Sequence, residues 1–118
     1  MIDRQFAQHF AQDWIAAWNA RDIERVLAHY TDDFEMTSPL IVAVTGDAGG
    51  RLKGKAAVGA YWAKALERLP ELRMELHAVY AGIDSVVIHY RGPRGESAET
   101  FFFDGVGKVC KAVAHYLP

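Results

Sequence analysis

Glu99 is the residue in this chain best placed to do chemistry. It lies in the run Glu96–Phe103, ESAETFFF. Strand alternation puts Glu99 and Phe101 on one face, and Thr100 and Phe102 on the other. If Phe101 faces an apolar interior, Glu99 does too. Desolvation there raises the carboxyl pKa, which suits a general acid or base. The competing reading is a rim glutamate in water or paired with an arginine. Tyr30 is the second candidate. Its hydroxyl is expected to bond Glu99 or a ligand, or else a backbone carbonyl, as interior tyrosines do.

Aromatic side chains surround these two in the sequence. Trp14, Trp18, Tyr30, Phe34, Tyr61 and Trp62 can wall a cavity for a flat or apolar ligand, or simply fill a core. Trp18 and Phe34 read as core, Trp14 and Trp62 as pocket. Met36, Met74 and Phe101 are expected to shape the site, with Ser38 and Tyr116 at its edge. The adjacent pair Asp32-Asp33 reads as turn formation, since neighbouring residues rarely converge on one atom.

Other chemistries have weaker signals. The histidines are His9, His29, His77, His89 and His115. None has the i, i+4 spacing of a zinc helix or sits in a Cys/His cluster, so the sequence implies no metal. His89 and His115 read as facing away from the cavity. Gly49–Ala56, GGRLKGKA, approaches a phosphate loop, but Ala56 replaces the required Ser/Thr and no βαβ units follow. No cofactor is implied. Cys110, the lone cysteine, cannot form an intrachain disulfide, and by strand parity it would face the cavity as a small hydrophobe.

The elements that must position these groups follow from periodicity. Phe6, Phe10, Trp14 and Trp18 form a helical stripe. Asp22 reads as the N-cap of a short second helix carrying Ile23, Val26 and Leu27. A turn at Thr31–Asp33 precedes a strand from Phe34 to Ser38, with Pro39 ending it. Ile41–Val44 is a short apolar run, and Gly46–Gly50 a loop. A third helix starts near Lys55, with Val58, Tyr61, Trp62 and Leu66 on one face. Four alternating strands follow: Leu72–Tyr80, Val86–Arg91, Glu96–Phe103 and Lys108–Leu117. Helices first and strands after argue an α+β fold, in one domain over residues 1–118.

The 118 residues suffice for a core without staples. A hydrophobic fraction of 51% and net charge of −2 describe a globular chain without the basic footprint of a nucleic-acid binder. No stretch has membrane-spanning or signal-peptide character, so the expected setting is cytoplasmic with no membrane partner. Val79, Val87, Phe102, Val109 and Val113 would make the outer sheet face apolar, and a homodimer through that face would cover it.

Taken together, Trp14–Pro39, the Gly54-Lys55-Ala56-Ala57 helix start and the ending Phe103–Val109, FDGVGKV, resemble the SnoaL-like branch of the nuclear-transport-factor-2-like superfamily, which includes ketosteroid isomerases. The resemblance implies a cone-shaped fold: three N-terminal helices packed on a curved antiparallel sheet. It implies a small-molecule ligand in the cone. In the isomerases a tyrosine donor falls on Trp14, the base on Ser38, the protonated acid on Glu99, and supporting aromatics on Tyr30 and Trp62. Trp14 keeps a donor, but Ser38 cannot shuttle a proton unaided at neutral pH. The resemblance therefore departs from steroid isomerisation. Two readings remain: a cofactor-free isomerase, cyclase or lyase acting through Glu99 and Tyr30, or a non-catalytic ligand-binding or dimerisation module.

Overall fold

The computed structural model describes residues 1–118. The first helix, α1 (Arg4–Asn19), starts where the Asp3 carboxylate accepts from the Phe6 amide at 3.1 Å, which satisfies one of the free first-turn donors. Its stripe buries Ala7, Phe10, Ala11, Trp14, Ile15, Ala17 and Trp18. Helix α2 (Ile23–Leu27) is capped by Asp22. Asp13 on α1 ties the two together, because its carboxylate accepts from Arg25 and from His29 Nε2 at 2.7 Å. Helix α4 (Lys55–Arg68) buries Val58, Trp62 and Leu66. Arg21 closes its far end, donating to Leu69 O at 3.0 Å and to Leu66 O.

The number of helices differs from the expected three. Ile41–Val44 lies in a further helix, α3 (Pro39–Thr45). Ser38 starts it: its Oγ accepts from the Leu40 amide at 3.1 Å, and Pro39 occupies the first turn, where no amide is needed. Gly46, at φ 76°, ends it. No helix is long and apolar enough to cross a membrane.

The strands are β1 (Tyr30–Thr37), β2 (Arg51–Lys53), β3 (Glu75–Ala81), β4 (Ser85–Gly92), β5 (Gly95–Phe103) and β6 (Val109–Tyr116). They form one curved sheet in the order β2-β1-β6-β5-β4-β3. All pairs are antiparallel except β1 with β6. Thr31–Asp33 is therefore not a turn but part of β1, at the irregularity between Tyr30 and Glu35. The third helix of the expectation and the four-strand meander are otherwise in place.

Bulges overturn part of the alternation. The register of β3 on β4 slips between Leu76 and Ala78, so Val79 pairs with the core residue Ile88 and packs inward while Tyr80 points out. On β5–β6 a slip between Phe102 and Phe103 sets Val109 opposite Phe103. Val109 is then fully buried, and Cys110 is exposed, with Sγ donating to Phe102 O at 3.5 Å. An extra residue in one strand inverts every side chain beyond it. The outer face keeps Val87, Phe102 and Val113, each half-buried, and loses Val79 and Val109 to the core.

Candidate functional site

The core is a chain of edge-to-face aromatics. Trp14 packs on Phe101 at 5.2 Å and on Tyr90 at 5.4 Å; Trp18 packs on Trp62 at 5.1 Å, and Trp62 on Tyr30 at 5.5 Å. Such pairs add about 0.5–1.5 kcal/mol each beyond their burial. They also fix large rings on rigid elements, so the space they leave keeps its shape.

That space is a cavity of about 360 Å³ between α1, α3, α4 and the inner face of the sheet. The size lies in the range of small-molecule sites. Trp18, Met36, Trp62, Leu72, Met74 and Tyr90 form much of its apolar wall. The strip before β3 is pinned there by Asn19, which donates to Met74 O at 2.9 Å and accepts from the Met74 amide at 2.7 Å. Leu40, Ala43 and Val44 of α3 border the mouth. This short helix is thus part of the site as well as of the fold.

Glu99 lines the cavity and is 3% exposed. It pairs with Ile88 on β4 and Ala114 on β6, both buried. Its Oε2 has no hydrogen-bond partner. Desolvation alone pushes its carboxyl from 4.5 up to about 8, because the charged form has no compensating partner there. Glu99 is therefore a neutral acid at pH 7, able to donate one proton. Burial first, and then the neighbouring Glu99, push Tyr116 up to about 12 and Tyr90 higher still. Both tyrosines line the cavity with protonated hydroxyls.

The other expected site residues divide. Trp14, Met36, Ser38, Trp62, Met74 and Tyr116 line the cavity. Tyr30 and Phe101 do not; they are fully buried behind its wall. Phe101 fills the space beneath Trp14 and Phe10. The Tyr30 hydroxyl accepts from the Trp14 indole N–H at 3.0 Å. That bond consumes the donor of Trp14, so neither residue offers it to a ligand in this geometry. Tyr30 is a positioning residue for the Trp14 wall rather than a group in the cavity. Ser38, in the cavity, accepts from the Leu40 amide to cap α3 and also stands in hydrogen-bonding reach of Tyr116.

Sequence reasoning missed several lining residues. Trp18, read as core, is both core and wall, and its indole N–H is buried without a partner. Tyr90 and Ser97 also line the cavity. Both share strand parity with the inward residues Ile88 and Glu99, so alternation held the signal for them. Lys64, Arg68 and Arg94 border the cavity too, and Glu99 is the one acidic residue that does. Nothing local marks these cations, since exposed Lys and Arg are common on any surface.

A separate cluster lies outside the cavity. His77, His89 and Glu96 come from β3, β4 and β5 and meet on the outer sheet face. The pairing of Leu76 with Tyr90 sets His77 beside His89, just before the slip in β3; their rings stand edge to face at 5.2 Å.

Comparison with known proteins agrees with this architecture. The sequence profile described as SnoaL-like domain matches residues 11–110. A SnoaL-like protein of unknown function from Burkholderia thailandensis is 50% identical over 100% of both chains, with a TM-score of 0.96. TerC, co-crystallised with polyporic acid, is 19% identical, covers 95% of this chain and 92% of its own, and has a TM-score of 0.77. A candidate isomerase of the SnoaL-like family from Agrobacterium tumefaciens is 18% identical, over 97% and 99% of the two chains, with a TM-score of 0.76. At these lower identities the likeness is one of fold. Among curated proteins nothing matches.

Proposed function

The chain belongs to the SnoaL-like domain family, and on that premise we propose that its cavity takes a small, largely apolar ring compound bearing oxygen acceptors, on which Glu99 acts as a general acid without a cofactor. The observation that carries this is the buried, unpartnered Glu99 carboxyl on the cavity wall. A buried polar group without a partner costs about 1–3 kcal/mol. A ligand oxygen accepting the Glu99 proton removes that cost, and binding becomes selective for an acceptor at that point.

The remaining polar groups support the same chemistry. The Trp18 N–H is a second buried donor. The mouth carries Lys64, Arg68 and Arg94 with no acidic residue beside them in the lining. Donors inside and cations at the rim suit a carbonyl, enol or carboxylate on an apolar frame. Transfer of the Glu99 proton to a ligand carbonyl oxygen would favour the enol, and the resulting carboxylate can take a proton from the adjacent carbon. That sequence is an isomerisation or the first step of an elimination.

A second reading is a binding module without turnover. One observation favours it: the position where the resemblance puts the base holds Ser38, which cannot shuttle a proton unaided at neutral pH and whose oxygen caps α3. Melting shifts against hydroxylated aromatics, terpenoids and small ring acids identify ligands. With a ligand in hand, Glu99→Gln separates the readings. Loss of turnover with affinity kept within about threefold supports catalysis; absence of turnover in the unmodified protein supports the module. We read the half-buried Val87, Phe102 and Val113 on the outer face as a homodimer contact, and sedimentation of a dilute sample as monomer alone would reject that.

A further inference from the structure

The outer-face cluster is unrelated to the cavity. His77 Nδ1 and His89 Nε2 lie 2.9 and 2.8 Å from the same oxygen, Glu96 Oε1. Both nitrogens thus converge on one carboxylate oxygen, and the three atoms, from three adjacent strands, lie within 4.8 Å of one another. In the single chain each side chain is about one-third exposed, at 30%, 38% and 33% for His77, His89 and Glu96; the proposed homodimer contact at Val87 lies beside them on β4, so metal titration is read at the oligomeric state that sedimentation gives.

We propose that His77, His89 and Glu96 bind a divalent transition-metal ion of the Zn²⁺ type, with the remaining position open to water. Two imidazoles and a carboxylate are a donor set suited to Zn²⁺ and its neighbours rather than to Mg²⁺ or Ca²⁺, which prefer all-oxygen ligands. Tetrahedral donors held about 2.0–2.1 Å from an ion lie about 3.3 Å apart. The two N···O separations therefore open by about half an ångström on binding, a small rotation of half-exposed side chains.

Outer contacts already orient two of the three ligands. Glu75 Oε1 lies 3.3 Å from His77 Nε2, the ring nitrogen opposite the proposed ligand atom. An ion that takes Nδ1 displaces its hydrogen bond to Glu96, and the Glu75 carboxylate is then the nearest partner for a proton on Nε2. Arg91 Nη1 lies 3.6 Å from Glu96 Oε2 and so holds the second oxygen aside from Oε1. Its positive charge opposes the ion, which argues for a site of moderate rather than very high affinity.

The test uses the untagged, metal-free protein and ZnCl₂. Calorimetric titration should give one Zn²⁺ per chain with a micromolar or tighter Kd. His89→Ala and Glu96→Gln should each weaken binding at least tenfold. Zn²⁺ added to ¹⁵N-histidine-labelled protein should move the ring signals of His77 and His89 and leave those of His9, His29 and His115 in place. The proposal is overturned if the His77→Ala/His89→Ala double variant titrates like the unmodified protein. It is equally overturned if the ring signals of His77 and His89 stay fixed at saturating Zn²⁺. The second measurement needs no variant to fold.

Discussion

Replacing Glu99 with glutamine tests the buried carboxyl through stability, without knowledge of the ligand. Between pH 4.5 and about 8 the unfolded chain has lost a proton that folded Glu99 retains. Folding stability therefore falls as pH rises through that window, and the loss is complete above about 8. A rise from 4.5 to about 8 corresponds to roughly 5 kcal/mol at most, since each pKa unit is worth about 1.4 kcal/mol. The glutamine side chain cannot ionise, so the variant lacks this dependence. It acquires a constant penalty, about 1–3 kcal/mol, if one amide N–H stays unpaired. The diagnostic is therefore the slope, not the absolute value. Urea unfolding read by the fluorescence of Trp14, Trp18 and Trp62, all buried, gives stability at half-unit steps from pH 5 to 9. The difference between the two proteins should shift by several kcal/mol in favour of glutamine at high pH. Titrations elsewhere cancel in that difference. Parallel curves across the whole range would refute the claim that Glu99 is desolvated, and the acid role with it.

Three further outcomes are expected. Ser38→Ala removes the cap of α3 and should cost about 1 kcal/mol, seen as a lower urea midpoint at constant m; no change would mean that α3 does not need the cap. Gly50→Ala should cost about 1–3 kcal/mol, because φ is +58° and a Cβ would stand 2.9 Å from Ser38 O; an unchanged Tm would contradict that close approach. The hydrogen bond from Arg25, opposed by desolvation and aided by His29, holds Asp13 below 3.8. Its stabilising share is present above pH ~3.8 and is lost as pH falls through the lowered folded value. Asp13→Asn should flatten the acid limb of Tm between pH 2.5 and 4.5, and equal limbs would remove the α1–α2 ion pair from the account.

The inward position of Glu99 was legible because it needs only strand parity and a buried Phe101 beside it. Ser38 was legible in part. It lines the cavity, but the Ser-Pro start of a helix reads in sequence as the end of a strand. The Ile41–Val44 run is too short for periodicity to separate helix from strand. Tyr30 was expected in the cavity because it is aromatic and polar, yet its partner is Trp14, sixteen residues away. A side-chain pairing of that kind has no local signature.

Local repetition in the chain determined the α1 stripe, the α4 face, the alternating strands and the single carboxyl among apolar neighbours, because each depends on residues within a turn or two of one another. Tertiary structure alone decided which side of the sheet Val79, Val109 and Cys110 occupy, that Trp18 borders a cavity, and that His77, His89 and Glu96 meet. The strand outcomes depend on register, and one extra residue in a ladder reverses the faces beyond it while leaving the hydrophobic pattern of the sequence unaltered; the place of Trp18 depends on how α1 packs against α4.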